Sequence, residues 1–232
     1  MSALMFPAAP APTLAIRGDT RRFPVHRIYC VGRNFAEHAR EMGSAIDRGN
    51  PVFFAKPADA VLPGGGVQVF PRGTADLHHE VELVVALSAD AGDGLSVADA
   101  ERLVFGYALG LDLTRRDLQA AAKAKGLPWD TAKGFDRSAP ISEIVPAADC
   151  LPLGPRRLQL AVNGEVRQQA LLSDMVWSVP EILVELSRLF ELRAGDLIFM
   201  GTPAGVAALQ PGDRYRASID DLLILEGGFA AG

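Results

Sequence analysis

The segment from His79 to Leu87, which reads HEVELVVAL, restricts the fold more than any other part of the chain. Successive side chains of a β-strand point to opposite faces, so as a strand it would have one apolar face: Val81, Leu83, Val85 and Leu87. Glu80 and Glu82 would then lie side by side on the other face. Repulsion between neighbouring carboxylates raises the pKa of at least one of them unless a cation compensates. The segment is therefore either an edge strand with a solvated face or a core strand that carries a cation site.

A second predicted strand, Val104 to Leu113, favours the core strand. Its large apolar side chains share one face, and the other face carries small residues and one acid: Gly106, Ala108, Gly110 and Asp112. Small residues leave room for a close approach to the backbone. Asp112 therefore becomes a candidate third ligand beside Glu80 and Glu82.

Three carboxylates would form an oxygen-rich site of the kind that suits Mg²⁺, Mn²⁺ or Ca²⁺. Zinc is less favoured, because His78 and His79 are adjacent, point to opposite faces of an extended chain and have no cysteine nearby. We interpret both histidines as structural.

Basic and amide side chains follow Asp112 closely in the sequence. A helix predicted from Thr114 to Lys125, with Thr114 and Asp117 as a capping box, would carry Arg116 and Gln119 on one face near its N-terminus. Lys133 follows in the segment TAKGF. Most Arg and Lys side chains are simply solvated, so only their proximity to the predicted carboxylate site makes these residues candidates.

A short helix predicted from Asn34 to Met42 carries His38 and Glu41 at i, i+3. In that arrangement Glu41 could orient the imidazole and raise its basicity, as in a general base and its orienting group. An ion pair on a helix surface is the alternative, and the spacing alone favours it.

The remaining pattern predicts many short strands and few helices. Asn163-Gly164 between two apolar runs predicts a type I′ hairpin. Ser178 and Glu181 predict the start of an amphipathic helix that packs on a sheet. Strand-like runs are also present at 28–31, 52–55, 67–70, 158–162 and 197–200. Because the strands do not alternate regularly with helices, we predict a β-rich α+β fold.

Composition limits the class of partner. With 23 basic and 28 acidic residues in 232, the formal charge is −5, and no long run of Lys and Arg predicts nucleic-acid or membrane binding. Cys30 and Cys150 are far apart, so neither a disulfide framework nor a zinc site is expected, and a cytoplasmic location fits best. The Ala- and Pro-rich start predicts a loose arm over residues 1–22, followed by a single domain over 23–232.

Several motifs taken together resemble the fumarylacetoacetate hydrolase superfamily, and within it the short bacterial fumarylpyruvate hydrolases. They are CVGRN at 30–34 with His38 and Glu41, FAKP at 54–57, HEVE at 79–82, LDLTRRD at 111–117, KGF at 133–135 and GTPAGV at 201–206. The resemblance implies a mixed β-sandwich roll, a homodimer, and Mg²⁺ or Mn²⁺ held by Glu80, Glu82 and Asp112.

The resemblance also implies roles for the remaining candidates. His38 and Glu41 would activate water, Lys133 and Arg116 would contact the oxo acid, and Gln119 and Thr202 would be polar groups on the substrate side. The expected activity is hydrolysis of a 2,4-dioxo acid, with fumarylpyruvate giving fumarate and pyruvate in gentisate breakdown. The alternatives are an oxaloacetate decarboxylase or a related decarboxylase or isomerase, and a metal-containing binding protein without turnover.

Overall fold

The computed structural model describes residues 4–41, 48–92, 94–150 and 152–231. The strands are β1 Thr13–Ile16, β2 Asp19–Pro24, β3 Ile28–Gly32, β4 Val52–Lys56, β5 Val61–Pro63, β6 Gly66–Gln68, β7 Leu77–His78, β8 Val81–Leu87, β9 Val104–Leu111, β10 Thr114–Arg115, β11 Ala139–Ile141, β12 Val145–Pro146, β13 Arg157–Val162, β14 Glu165–Leu171, β15 Leu197–Phe199, β16 Ala208–Leu209, β17 Arg214–Ile219 and β18 Leu223–Phe229. The α-helices are α1 Ala36–Glu41, α2 Val97–Leu103, α3 Arg116–Ala124, α4 Asp130–Lys133 and α5 Val179–Ser187.

An eight-stranded mixed sheet forms the centre of the fold. Its order is β4-β3-β15-β8-β9-β11-β5, and β12 also pairs with β9. The β15–β3 and β11–β5 pairs are parallel, whereas β8 is antiparallel to both of its neighbours. Every residue of β8 is buried. The alternative of an edge strand with a solvated face is therefore wrong for this segment.

The two faces of the central sheet have different partners. On one face, Leu83 and Val85 share a core with Leu160 and Leu225 of a five-stranded sheet, whose order is β14-β13-β17-β18-β6. A separate apolar cluster on the other face includes Phe199, with Leu14 and Phe23 from the β1–β2 hairpin. The predicted β-rich α+β class with two packed sheets is confirmed.

Two local predictions are also confirmed. Asn163 and Gly164 have φ values of 51° and 84° and connect β13 to β14, as a type I′ turn requires. At the start of α5, Ser178 and Glu181 form a reciprocal capping box.

No helix in the described parts of the chain is long and apolar enough to cross a membrane.

The predicted loose arm over residues 1–22 is wrong from Thr13 onward. β1 and β2 form a hairpin, and Leu14 is fully buried against the second apolar cluster. The Pro-rich start concealed this hairpin, because a four-residue strand such as β1 is too short for its alternation to stand out.

Helix boundaries also differ from the prediction. α3 begins at Arg116, because Thr114 instead pairs in β10 with β7 and donates its hydroxyl to Asp112 O. Asp117 accepts hydrogen bonds from Thr74 Oγ1 and the Ala75 amide, so it anchors a loop. α1 begins at Ala36, and Met42, the predicted end of that helix, lies outside the described residues.

The room predicted beside the small residues of β9 is taken by the protein itself. A Cβ at Gly110 would lie 2.7 Å from the Phe199 ring and 2.8 Å from Val84. Gly110 therefore allows β8, β9 and β15 to pack around a buried phenylalanine.

Gly110→Ala should lower the free energy of unfolding by about 1–3 kcal/mol, because the added methyl group overpacks against Phe199. Urea denaturation of the variant and of Gly92→Ala measures this, since Gly92 has open space where a Cβ would lie. Equal losses of stability in the two variants would contradict the packing role of Gly110.

Candidate metal centre and active site

The candidate residues meet in one cavity at the ends of β8 and β9. His38, Glu80, Glu82, Asp112, Arg116, Gln119, Lys133 and Thr202 all line it, and Glu41 contacts His38 from outside the lining. The Asp112 amide donates to Glu80 O over 2.8 Å, which joins the two strand ends where the carboxylates project. The structure thus brings together residues that are up to 164 positions apart in the sequence.

The three carboxylates form a compact acidic cluster. Oxygen atoms of Glu80, Glu82 and Asp112 lie within 4.8 Å of one another, and each residue is at most 5% exposed. Buried carboxylates at such short separations require cations or protons, because burial and mutual repulsion both disfavour their charged forms.

Lys133 provides the cation shared by two of these carboxylates. Its Nζ atom donates to Glu80 Oε2 at 2.7 Å and to Asp112 Oδ2 at 2.6 Å. Burial alone would lower the pKa of Lys133, but the two carboxylates outweigh it and raise the pKa above its ordinary value. Likewise, burial opposes ionisation of Glu80, whereas Lys133 and Arg116 hold its pKa well below the usual range.

Arg116 is held in place by three neighbours. Its guanidinium group pairs with Glu80, donates to Gln119 Oε1 at 2.6 Å, and donates through Nε to His78 Nδ1 at 3.3 Å. Burial and the nearby Arg116 charge lower the pKa of His78, and its other ring nitrogen lies 2.9 Å from Asp76 Oδ1. In this structure His78 positions Arg116, and Gln119 hydrogen-bonds Arg116 from within the same cavity lining.

Glu82 differs from the other two carboxylates. Its Oε2 atom accepts the Gly201 amide at 2.6 Å, and no Lys, Arg or His within the described ranges forms an ion pair with it. Burial, followed by repulsion from Asp112 and Glu80, raises the pKa of Glu82 well above its ordinary value.

This donor set fits a divalent ion. Three buried carboxylates, one of them without a cationic partner in the described chain, match the all-oxygen coordination of Mg²⁺ or Mn²⁺. Glu80, Glu82 and Asp112 would hold the ion, which would compensate the charge of Glu82.

The His38–Glu41 pair lies at the same cavity. His38 is 8% exposed, and its Nδ1 atom lies 3.2 Å from Glu41 Oε2, an arrangement in which Nδ1–H donates and Nε2 remains free to accept a proton. Both carboxylate oxygens of Glu41 also accept the Gly205 amide at 3.2 Å. Contact with this glycine loop distinguishes the pair from a solvated ion pair on a helix surface.

Sequence reasoning assigned no role to Lys56, which is a central cation of the site. Its Nζ atom lies 2.8 Å from Asp112 Oδ1, and it donates to Leu113 O, Ser138 Oγ and Lys133 O. The available signal was a lysine at the end of the apolar run VFFA in β4, since a lysine that enters the core needs an acidic partner.

Gln168 was also missed, and it connects the loop that carries Thr202 to the segment that carries His79. Its amide donates to Thr202 Oγ1 and to Pro203 O, each at 2.8 Å, and its Oε1 atom contacts His79 Nδ1 and the Val81 amide. Thr202, predicted as a substrate-side group, also donates to Val81 O at 2.9 Å. No sequence signal marked Gln168, because its neighbours Arg167 and Gln169 are also polar, and only the structure shows that Gln168 is the buried residue of β14.

The combination of a mixed β-sandwich, a cluster of three carboxylates and a His–Glu pair defines a class of metal-dependent enzymes. The family described as fumarylacetoacetate hydrolase, C-terminal, matches residues 27–230, and the chain belongs to this family.

Individual relatives differ in their stated activities. A fumarylpyruvate hydrolase from Pseudomonas aeruginosa, solved with Mn²⁺ and pyruvate, superposes with a TM-score of 0.93 at 44% identity and covers 99% of this chain and 100% of its own. The mitochondrial oxaloacetate tautomerase of Rattus norvegicus is 44% identical over 196 residues, which cover 84% of this chain and 88% of the relative. The oxaloacetate tautomerase of Escherichia coli is 40% identical over 206 residues, covering 88% and 93%.

Glu82→Gln should weaken Mn²⁺ binding by at least about 100-fold, because the variant loses one of three charged ligands. Titration calorimetry or the paramagnetic resonance signal of free Mn²⁺ would measure the change. Glu226→Gln is a matched control at an exposed surface ion pair. Wild-type Mn²⁺ affinity in Glu82→Gln would refute this ligand assignment.

Mn²⁺ affinity should also decrease as the pH falls through the raised pKa of Glu82, because the ligand must lose its proton to bind. An ordinary glutamate has a pKa of about 4.3. As the pH is lowered, the dissociation constant for Mn²⁺ should therefore begin to rise at a pH above the range in which an ordinary glutamate takes up its proton. A dissociation constant that changes only within that ordinary range would contradict the raised pKa.

Proposed function

We propose that the protein hydrolyses the C3–C4 bond of a 2,4-dioxo acid in a reaction that depends on a divalent metal, with fumarylpyruvate as the substrate. The observation that carries this proposal is the His38–Glu41 pair on the same cavity as the three carboxylates. A bound ion alone can polarise an oxo acid, but hydrolysis also needs a base that activates water.

The carboxylate end of the cavity would hold the 2-oxo acid portion. When bound, Mg²⁺ or Mn²⁺ supplies Lewis acidity to the oxygen atoms of that portion. Lys133 and Arg116 add fixed positive charge beside the acidic cluster, where Glu80 and Asp112 hold them rigidly. Positive charge placed in advance stabilises negative charge that develops on the substrate as the bond breaks.

The His38 side chain would act on water. Glu41 accepts a hydrogen bond from Nδ1–H, so Nε2 can take a proton from a water molecule. The resulting hydroxide adds to the C4 carbonyl carbon, and the C3–C4 bond then breaks with its electron pair moving toward C3. A proton returned to C3 completes pyruvate, and the acyl portion leaves as fumarate.

A second candidate is interconversion of the keto and enol forms of oxaloacetate, or its decarboxylation. Curated relatives at 40–44% identity are oxaloacetate tautomerases, which supports this candidate. Both alternatives pass through a 2-oxo acid with negative charge at C3 but use no hydrolytic water. The presence of His38, backed by Glu41, and Lys133 at one cavity argues against a third candidate, a binding protein without turnover.

The domain organisation, the oligomeric state and the pathway are part of the same proposal. We assign the described chain from β1 onward to one catalytic domain, because the β1–β2 hairpin is part of the core below the central sheet. The resemblance that supports fumarylpyruvate as the substrate also supports a homodimer that acts in gentisate breakdown.

The Mn²⁺-loaded protein should hydrolyse fumarylpyruvate, and His38→Asn should lower kcat by about 10²–10⁴-fold, the usual contribution of a general base. Loss of diketone absorbance follows hydrolysis, and the decay of freshly dissolved enol-oxaloacetate follows tautomerisation in the same preparations. Glu37→Gln is the control, because Glu37 is an exposed neighbour on α1. Rapid tautomerisation without any hydrolysis would overturn the proposal in favour of the second candidate.

A further inference from the structure

Helix α3 presents a third side chain to the cavity, one that the reaction described above does not use. Arg116, Gln119 and Lys123 are spaced i, i+3 and i+7, so they share one face of the helix, and all three line the cavity. Lys123 lies seven residues beyond Arg116, which is about 10 Å along the helix axis. It therefore extends the polar lining away from the carboxylates.

Two aromatic rings connect the carboxylate end of the cavity to Lys123. Lys133 Nζ lies 4.8 Å from the centre of the Phe54 ring, and the centres of the Phe54 and Trp129 rings are 5.8 Å apart. Lys123 Nζ lies 5.0 Å from the centre of the Trp129 ring. Because both rings line the cavity, they form an apolar wall between Lys133 at the carboxylate end and Lys123 at the other end.

Arg33 is the second cation on this cavity lining that the proposed reaction does not use, and its backbone has an uncommon conformation. Its φ value of 62° lies in the left-handed region, which a residue with a side chain adopts only when its surroundings enforce it. The next residue is firmly held by hydrogen bonds. Asn34 is fully buried, donates to Met200 O and Trp177 O, and accepts the Trp177 amide.

Neither Arg33 nor Lys123 has a carboxylate partner in the described parts of the chain, whereas Arg116 and Lys133 are both paired with Glu80. Burial and the charges of Arg116, Lys133 and Arg33 lower the pKa of Lys123, and the charge of Glu80 opposes them. Because neither Arg33 nor Lys123 is paired with a carboxylate in the described chain, both cations remain available to an anionic group of a ligand.

We propose that Arg33 and Lys123 form a subsite for a second carboxylate of the substrate, at the far end of its acyl group. This inference rests on the proposed function, and it makes an acyl group with its own carboxylate the preferred substrate class. In a seven-carbon 2,4-dioxo diacid, six C–C bonds of about 1.5 Å separate the two carboxylates. That length is comparable to the two helical turns from Arg116 to Lys123, and Phe54 and Trp129 would pack against the carbon chain between them.

Binding of two matched ligands to the Mn²⁺-loaded protein tests the subsite without requiring turnover. 2-Oxoheptanedioate has the second carboxylate, whereas 2-oxoheptanoate has the same number of carbons and no second carboxylate. Neither has the C4 carbonyl that hydrolysis needs. By titration calorimetry the wild-type protein should bind the diacid more tightly by about tenfold or more, as expected for charge-assisted hydrogen bonds.

Lys123→Gln and Arg33→Asn should each reduce that preference, and the double variant should bring the two dissociation constants close to equality. Asparagine is chosen at position 33 because it tolerates the left-handed conformation. Lys123→Arg should keep the preference, since it retains the charge. Lys125→Gln and Arg40→Gln are matched controls at exposed positions outside the cavity lining, and they should also keep it.

Equal wild-type affinities for the two ligands, or an unchanged preference in the double variant, would overturn the subsite. Hydrolysis of acetylpyruvate, which has no second carboxylate, tests the proposed function separately. A protein that cleaves acetylpyruvate but does not prefer the diacid ligand would retain the function and lose the subsite. A protein that prefers the diacid ligand but cleaves no acylpyruvate would retain the subsite and lose the proposed function.

Discussion

Charge compensation of three buried carboxylates is the constraint on which the rest of the site depends. Glu80, Glu82 and Asp112 lie at the ends of two central strands, where burial limits their solvation by water. Lys133 and Lys56 are therefore drawn into the core from α4 and β4, and each is at most 2% exposed. These ion pairs connect elements on both sides of β8 and β9, so the electrostatics of the site and the packing of the sheet are inseparable.

The cations of the site compensate the three carboxylates unequally, and this difference is what favours binding of a divalent ion. Lys133 and Arg116 neutralise Glu80, whereas Glu82 has only a backbone amide as a partner in the described chain. A divalent ion would complete the balance and leave a net positive surface toward the cavity. The His38–Glu41 pair lies at the same cavity, and Glu41 contacts the loop at Gly205. In the proposed reaction, the base and the site for the oxo acid would therefore share this cavity.

Local patterns predicted the parts of the structure that depend on neighbouring residues. Alternation in the HEVELVVAL segment predicted a strand, which β8 forms from Val81 to Leu87. The Asn163-Gly164 and Ser178–Glu181 signals predicted a turn and a helix start, because each is set by a few adjacent dihedral angles. Prediction failed where a distant partner decided the outcome. Thr114 joined β10 instead of capping α3, and the room beside Gly110 was filled by Phe199 from another strand.

The sequence by itself determined which carboxylates could share a strand face, which helix would carry Arg116 and Gln119, and which family the motifs resemble. These properties follow from the two-residue repeat of strands and the spacing of helices. Only the tertiary structure decided that β8 is interior, that Lys56 pairs with Asp112, that Gln168 connects Thr202 to His79, and that Arg33 and Lys123 line the same cavity. Contacts between residues tens of positions apart depend on how sheets and loops pack, and no local pattern encodes that packing.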